Sequence, residues 1–271
     1  MNRGLLLRAF RESWPATLVI GLVLMGVETL LAFVLPMFSA QLTQEWLQID
    51  LVRGIVQAML GTEIAGRIGP QMFQSIPWVH PVVLALLWAH AAISCTRVPA
   101  GEVDRGTIDV LLSLPVSRWE LFLSETTVWL FSAAVVLLAG LAGNLLGSLA
   151  LPAAQRPEVG RLLIVLSNLF CLYAAVGGFA WLVSSLSERR GRAMTTVFLV
   201  LLALFLLNYL APFWQPLEKV VFLNPLHYHR PIGILASGAW PWRDLGILLG
   251  AGASMWLGAG VVFAIRDLRT V

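Results

Sequence analysis

The feature that most constrains the fold is a series of six apolar blocks, each long enough to cross a lipid bilayer. A helix of about 20 apolar residues crosses the hydrocarbon core. In that core only helices and closed barrels pair all backbone N–H and C=O groups in hydrogen bonds. We therefore predict an all-α integral membrane protein with one transmembrane domain over residues 1–271. The predicted spans are 14–38, 79–96, 126–151, 162–186, 193–213 and 245–265.

Composition excludes a water-soluble domain. Hydrophobic residues make up 58% of the chain and charged residues 12%, whereas soluble domains have roughly 25% charged residues. The net charge of +3 comes mainly from arginines at the ends of the apolar blocks, so it indicates topology and not a nucleic-acid partner. Cys95 and Cys171 lie in or beside predicted spans, which argues against a disulfide framework.

The segment 97–125, between the second and third spans, is the most informative part of the sequence. Thr107 is predicted to cap a short helix over 108–114, which Pro115 ends because its ring clashes with the preceding turn. Ser117 and Glu120 have the spacing of a capping box, so a second helix is expected to begin there. The two helices are predicted to meet at a sharp bend.

The short helix is predicted to carry an apolar docking face. Ile108, Leu111 and Leu112 share one side at helical spacing. Around them stand charged residues, namely Glu102, Asp104, Arg105 and Asp109. This pattern is typical of a plug that enters a partner's groove.

This segment resembles the first cytoplasmic loop of type-2, exporter-like permease subunits of bacterial ATP-binding-cassette (ABC) transporters. The matching elements are Ala100-Gly-Glu102, Gly106-Thr107, Leu111-Leu112, Pro115-Val116-Ser117-Arg118 and Glu120-Leu121. In that family the loop carries the coupling helix. The resemblance implies an ATPase-coupling role for Glu102, Gly106, Thr107, Ile108, Leu111, Leu112, Pro115, Ser117, Arg118 and Glu120. Glu125 departs from the pattern, because family members often have lysine there.

The resemblance also implies partners. No Walker A motif occurs in the sequence, so the chain is expected to be a non-catalytic subunit without a cofactor of its own. ATP and Mg²⁺ would bind a separate ATP-binding subunit, two copies per complex. A second permease chain, identical or paralogous, would complete a dimer in the bilayer. Such permeases mostly export drugs, peptides, lipids or glycans, and some drive other mechanical work at the outer face.

Charge counting predicts the orientation. Arginines are more frequent on the side that holds both termini and the coupling loop than on the side of the longer loops 39–78 and 214–244. The positive-inside bias therefore places both termini and the coupling loop in the cytoplasm. The resemblance implies that the membrane is the bacterial inner membrane. Amphipathic interfacial helices are expected over 1–13 on the cytoplasmic side and over 46–59 on the outer side.

Polar residues inside the spans are candidate pathway residues. Glu28 lies within the first span, where an ionisable group is a functional hypothesis by default, although a packed, hydrogen-bonded carboxyl is an equally good interpretation. Asn144, Asn168 and Asn208 are candidates too, but such residues also hold membrane helices together, at about 0.6 kcal/mol each. The histidines His80, His90, His227 and His229 are predicted to be hydrogen-bonded within the fold and not to ligate a metal.

Small residues predict close helix packing. Gly143 and Gly147 lie on one side of the third span, and Gly246, Gly250, Ser254 and Gly258 form a stripe on the sixth. The stripe is predicted to pack within the bundle or between subunits.

Two other functions remain open at this point. The first is an ATP-independent secondary transporter or channel that uses Glu28 as its ion or proton site, but the chain has no inverted repeat of the kind such transporters often show. The second is a membrane-embedded enzyme, which needs acids, bases or metal ligands that converge at one depth.

Overall fold

The computed structural model describes residues 3–37, 48–50, 52–54 and 70–267. These residues are mostly helical and contain no strand. The α-helices of five residues or more are α1 Arg3–Met37, α2 Pro70–Val79, α3 Pro81–Cys95, α4 Ile108–Leu112, α5 Arg118–Ser148, α6 Val159–Leu186, α7 Arg190–Leu210, α8 Pro231–Ser237 and α9 Trp242–Ile265.

Six helical stretches in the described residues are long and apolar enough to cross a membrane. They are α1, α2 with α3 (Phe73–Cys95), α5, α6, α7 with the turn after it (Arg190–Phe213), and α9. The predicted all-α fold with six transmembrane helices is confirmed. The chain is a membrane protein by the length and composition of these helices.

The first helix differs from the prediction. A separate interfacial helix over 1–13 was expected, but α1 runs from Arg3 to Met37 without interruption. Leu5, Ala9, Ser13 and Thr17 are all buried. Because this spacing of four residues continues one face of the helix, the packing surface extends through both parts and gives the chain no reason to turn.

The segment before the second span is also more regular than predicted. This segment belongs to the predicted outer loop 39–78, but Pro70 begins the helix α2 and Pro77 lies within it. The break comes at His80, where the backbone is extended and the Nδ1 atom accepts a hydrogen bond from the Val82 amide at 3.3 Å. Most of the predicted amphipathic helix over 46–59 lies outside the described residues.

Glycines allow α1 and α5 to pack closely, and this pair and the α6–α9 pair make the most extensive helix contacts. A Cβ atom on Gly143 would lie 2.1 Å from the Met25 carbonyl oxygen, and one on Gly147 would lie 2.3 Å from that of Thr29. The Thr29 hydroxyl donates to the Gly143 carbonyl at 3.0 Å. Gly143 and Gly147 thus face α1, as small residues do where membrane helices approach closely.

The first part of the glycine stripe of α9 does not pack against the described part of the chain. A Cβ atom on Gly246 or Gly250 would meet no described atom within 4 Å. Gly252 makes the contact with α6 instead. A Cβ atom on Gly178 of α6 would lie 2.3 Å from the Gly252 carbonyl oxygen. The stripe was predicted to pack either within the bundle or between subunits. Packing within the bundle is wrong for Gly246 and Gly250. Ser254 is exposed too, and Gly258 is half-buried near Leu182.

Candidate coupling site

The segment between α3 and α5 folds as a series of short turns. The turns Arg97–Gly101 and Glu102–Asp104 follow α3, and Gly106 then adopts a positive φ of 69°. Glycine takes this left-handed conformation at little cost. The Gly106 amide donates to the Val103 carbonyl at 3.0 Å, which closes the turn and leads directly into α4.

Thr107 stands at the start of α4, but its side chain does not cap the helix. Its hydroxyl donates to the Glu102 carboxylate at 2.5 Å, so it ties α4 to the preceding turn. The helix ends at Leu112, two residues earlier than predicted. Pro115 accounts for this early end, because the residue before a proline is disfavoured in the helical conformation.

The predicted capping box is confirmed at the start of α5. The Glu120 amide donates to the Ser117 hydroxyl at 3.1 Å, and the Ser117 amide donates to the Glu120 carboxylate at 3.0 Å. Two amides that the helix cannot pair are satisfied in this way. The bend between α4 and α5 is therefore a defined structure.

The apolar face of α4 points into the chain, which corrects the predicted docking face. Ile108 is fully buried and Leu111 is 8% exposed, while Leu112 is half-buried. The side open to a partner carries Val110, which is 67% exposed, and Leu114. It also carries Asp109 and Ser113. We call these four residues the outer face of α4. The hydrophobic pattern correctly predicted a helix. Its apolar side, however, packs against this chain and not against a partner.

Glu102 anchors the loop to the rest of the bundle. Its carboxylate is almost fully buried and accepts hydrogen bonds from Arg8 at 2.7 Å and from Arg105 and Thr107. Burial raises the pKa of Glu102, but the Thr107 hydrogen bond and the charges of Arg8 and Arg105 outweigh burial and hold it below the usual range. Glu102 is therefore a charged group that fixes the loop.

The pairing continues as an alternating series of charges. Arg97 pairs with Glu125 of α5 and, at 2.6 Å, with Glu12 of α1. Glu12 in turn pairs with Arg8 at 2.9 Å, and Arg8 reaches Glu102. The ionic chain is Glu125, Arg97, Glu12, Arg8, Glu102 and Arg105. It connects α5, the loop and α1.

Arg118 links the same loop to the last span. Its guanidinium donates to the carbonyls of Phe263 at 3.0 Å and Arg266 at 2.6 Å, at the end of α9. A cation is favoured there because the last carbonyls of a helix lack backbone partners. Arg266 donates to the Ser185 carbonyl of α6 at 2.8 Å. The ends of α6 and α9 therefore lie beside the start of α5.

Sequence reasoning missed several of these residues. Arg8, Glu12, Arg97 and Arg266 were interpreted as topology signals or not singled out, and Glu125 was noted only as a departure from the family pattern. Charges of opposite sign at the ends of different spans were the available signal. Which spans lie side by side cannot be read from the chain, so the pairs could not be assigned.

The four candidate pathway residues lie in two groups. The Asn144 amide donates to the Glu28 carboxylate at 2.9 Å, and Glu28 has no exposed surface. Asn168 bonds instead to the Tyr228 carbonyl at 3.1 Å and to His229 Nδ1 at 2.7 Å. Asn208 lines a small cavity together with His229. Among the described residues, these four do not form one continuous path.

A second buried network is uncharged. The Trp129 indole donates to the Tyr173 hydroxyl at 2.7 Å, and the Tyr173 oxygen lies 2.7 Å from His90 Nδ1. His90 Nε2 lies 3.2 Å from the Thr17 hydroxyl, which donates to the Ser13 carbonyl. These donors and acceptors match a neutral imidazole protonated on Nε2. We call Trp129, Tyr173, His90 and Thr17 the neutral chain; it joins α5, α6, α3 and α1.

His227 and His229 also have hydrogen-bond partners among the described residues. His227 Nε2 lies 2.5 Å from the Arg230 guanidinium, and His229 Nε2 lies 3.1 Å from the Trp78 carbonyl. Burial lowers the pKa of His229 to about 4. Over residues 3–37, 48–50, 52–54 and 70–267, no cluster of three or more His, Cys, Asp or Glu side chains could hold a metal ion.

Comparison with known proteins places this architecture in a family. The chain is 25% identical over 213 residues to "Probable multidrug ABC transporter permease YbhR" of Escherichia coli strain K12 and to the protein of the same name in Escherichia coli O157:H7. Each alignment covers 72% of this chain and 54% of the relative, so the chain spans about half the length of these curated relatives. A family model described as "ABC-2 family transporter protein" matches residues 7–241. The chain therefore belongs to the ABC-2 family of transporter proteins.

Proposed function

We propose that this chain is the membrane-spanning permease subunit of an exporter-type ABC transporter. It binds two copies of a separate ATP-binding subunit and a second permease chain, identical or paralogous. ATP and Mg²⁺ bind the partner, and the chain itself performs no catalysis. Both termini and the coupling loop face the cytoplasm from the inner membrane. The family membership of the chain supports this proposal.

The observation that carries the proposal is the placement of α4. Its outer face presents Val110 and Leu114 to solvent, while Ile108 and Leu111 fix the helix to the chain from the other side. The loop is joined to α1 and α5 by the ionic chain and to α9 by Arg118. A partner that moves α4 therefore moves the ends of several spans.

Coupling then follows from differential binding. ATP closes the pair of partner subunits, and the closed pair binds one arrangement of the spans better than the other. The capping box of Ser117 and Glu120 keeps the start of α5 intact during this shift. The loop acts as a rigid connector and not as a hinge.

An apolar cleft of about 540 Å³ supports a lipophilic cargo. It lies between α5, α6 and α9 and is lined by Leu137, Phe170 and Leu249 together with Trp240 and Trp242. Ligand pockets have volumes of about 300–1,000 Å³ and mostly apolar walls. The names of the relatives describe multidrug permeases. Apolar drug-like molecules are the cargo class that fits this cleft.

The competing proposal, ion-coupled transport through Glu28, rests on one oxygen. Glu28 Oε1 is buried and has no hydrogen-bond partner among the described residues. The carboxyl is nevertheless fully enclosed between α1 and α5. We expect Glu28→Gln to retain ATP-dependent transport, because the amide keeps the shape and can still pair with Asn144. Complete loss of transport in a normally assembled variant would favour the ion site.

Affinity purification of the tagged chain from its native membrane in mild detergent tests the proposal. We expect an ATP-binding subunit to co-purify at equal copy number with the permease chains, and we expect the complex to hydrolyse ATP. A matched preparation of an unrelated six-span protein with the same tag controls for adventitious capture. Recovery of the chain without an ATPase would refute the proposal and leave the ATP-independent alternative.

A further inference from the structure

A cavity of about 320 Å³ lies at the coupling end of the bundle. Its walls come from residues 11–16 of α1, from the end of α3, from the loop and from the start of α7. The charged side chains that line it are four arginines and one glutamate, namely Arg11, Arg97, Arg105, Arg190 and Glu12. A concave site with this excess of guanidinium groups attracts an anion.

Two of the arginine guanidinium groups make no ion pair in the part of the chain that the structure describes. Arg97 and Arg105 belong to the ionic chain, but Arg11 makes no ion pair. The Arg190 guanidinium donates only to the Ile93 carbonyl, at 3.0 Å, while the Arg190 amide donates to the Asp104 carboxylate at 3.3 Å. With Asp104 counted, the positive charge at the cavity is still only partly neutralised by the protein.

Two guanidinium N–H groups at the cavity are also unsatisfied. Arg97 Nε and Arg190 Nε are buried and have no acceptor among the described residues. The Arg97 side chain is 9% exposed, so water has little access to it. A buried donor without an acceptor destabilises the folded chain, and more strongly when it is charged. A ligand that supplies the acceptor removes this destabilisation.

The depth of the cavity matches the headgroup layer of a membrane. The 35 residues of α1 make a helix roughly 52 Å long, whereas the hydrocarbon core is about 30 Å thick and takes about 20 residues. Apart from Glu28, the charged residues of α1 all lie before Trp14, where the apolar run begins, which places the edge of the core near Trp14. Arg11, Glu12 and Ser13, which line the cavity, then lie beside the layer that holds lipid phosphates.

We propose that this cavity binds a phosphate group, with Arg11 and Arg190 as its unpaired cations and Arg97 as a further donor. Guanidinium groups bind phosphate by paired, charge-assisted hydrogen bonds. The phosphate belongs to the headgroup of an anionic lipid in the adjacent leaflet or to a soluble phosphate compound. A ligand here bridges α1, α7 and the coupling loop. The proposal goes beyond the transport function and does not depend on it.

Thermal denaturation of the full chain in nanodiscs tests the site. The wild-type chain and three variants are compared in phosphatidylcholine, in phosphatidylcholine mixed with phosphatidylglycerol, and in phosphatidylcholine with added inorganic phosphate. The variants are R11Q, R11Q with R190Q, and R189Q with R192Q. The last pair removes the same charge from exposed arginines at the same end that do not line the cavity.

We expect phosphatidylglycerol to raise the denaturation midpoint of the wild-type chain and of R189Q/R192Q. R11Q/R190Q should bind the anion at least about tenfold more weakly, because two charge-assisted contacts are lost. R11Q alone, at an exposed position, should show a smaller loss with no change of stability in phosphatidylcholine. Stabilisation by inorganic phosphate alone, lost in the same variants, would support the site and assign it to a soluble ligand.

Two results would overturn the proposal. One is equal stabilisation of both double variants, which would mean that the anions act on the general surface charge. The other is the absence of stabilisation of the wild-type chain by either anion. Both remain informative if the chain purifies without an ATPase, so failure of this proposal and failure of the proposed transport function are distinguishable.

Discussion

Two polar networks, one partly exposed and one buried, join the helices of this protein, and they differ in charge and in position. The ionic chain lies at the coupling end, where Arg97 and Glu102 connect the loop to α1 and α5. The neutral chain lies among the spans and passes through Tyr173 and His90. Charges persist at the helix ends because water and opposite charges are near, whereas a charge deep in a membrane protein is costly.

The two networks also differ in how their groups are connected. Arg8 contacts Glu12 and Glu102 at the same time, at 2.9 Å and 2.7 Å, so the ionic chain ties the loop to α1 through more than one contact. The neutral chain has one consistent order of donors and acceptors. It joins four spans, and we expect it to keep them in register.

Removal of Arg97 should have the largest effect on stability. Arg97→Ala leaves Glu125, which is almost fully buried, without its cation. Breaking a buried pair in this way costs roughly 3–5 kcal/mol. We expect the thermal denaturation midpoint in detergent to fall by roughly 10 °C.

A double variant sharpens this test. Arg97→Met combined with Glu125→Leu removes both charges and keeps similar volumes, so it should recover most of the lost stability. A midpoint as low as that of the single variant would show that Arg97 acts through something other than its pairing with Glu125.

Removal of one hydroxyl from the neutral chain should have an intermediate effect. Tyr173→Phe leaves the Trp129 indole without an acceptor and His90 Nδ1 without a donor. The expected cost is about 1–3 kcal/mol, with retained ATPase coupling. Tyr209→Phe, at a half-buried tyrosine whose ring lies tilted against that of Phe205, is the matched control. An equal loss in both variants would contradict a specific role for the neutral chain.

Acidification should weaken the ionic chain, with a smaller effect on stability than the substitutions above. The pKa of Glu102 lies below its ordinary value of 4.5, so its stabilising contribution is complete above that value and is lost as the pH falls through the lower, folded pKa. We expect the denaturation midpoint to decline on the acid side and Glu102→Gln to reduce this decline. An identical acid limb in the variant would assign the decline to other carboxylates.

The sequence predicted the spans well and the contacts between them poorly. Apolar blocks and the Ser117–Glu120 spacing are local signals, and both led to correct structures. The direction of the α4 face was wrong because Ile108 and Leu111 look the same whether they bury against this chain or a partner. The partners of Arg97, and the choice of Gly252 over Gly250 at the α6 contact, depend on which helices are neighbours. A single sequence does not contain that information.

Substitution on the outer face of α4 should affect stability least and coupling most. Val110 is 67% exposed, so Val110→Asp should leave the denaturation midpoint within about 1 °C, as surface changes do. A charge at the centre of a docking surface disrupts binding. Ala150→Asp, an exposed position at the opposite end of α5, introduces the same charge as a control.

The most direct measurement is therefore the amount of ATP-binding subunit, and the ATPase activity, that co-purify with V110D and A150D at equal amounts of chain. If the outer face of α4 binds the ATP-binding subunit, V110D should show about tenfold less co-purified subunit and about tenfold less ATPase activity. A150D should match the wild-type chain in both. Full retention of the partner and of ATPase activity by V110D would contradict the assignment of the coupling surface.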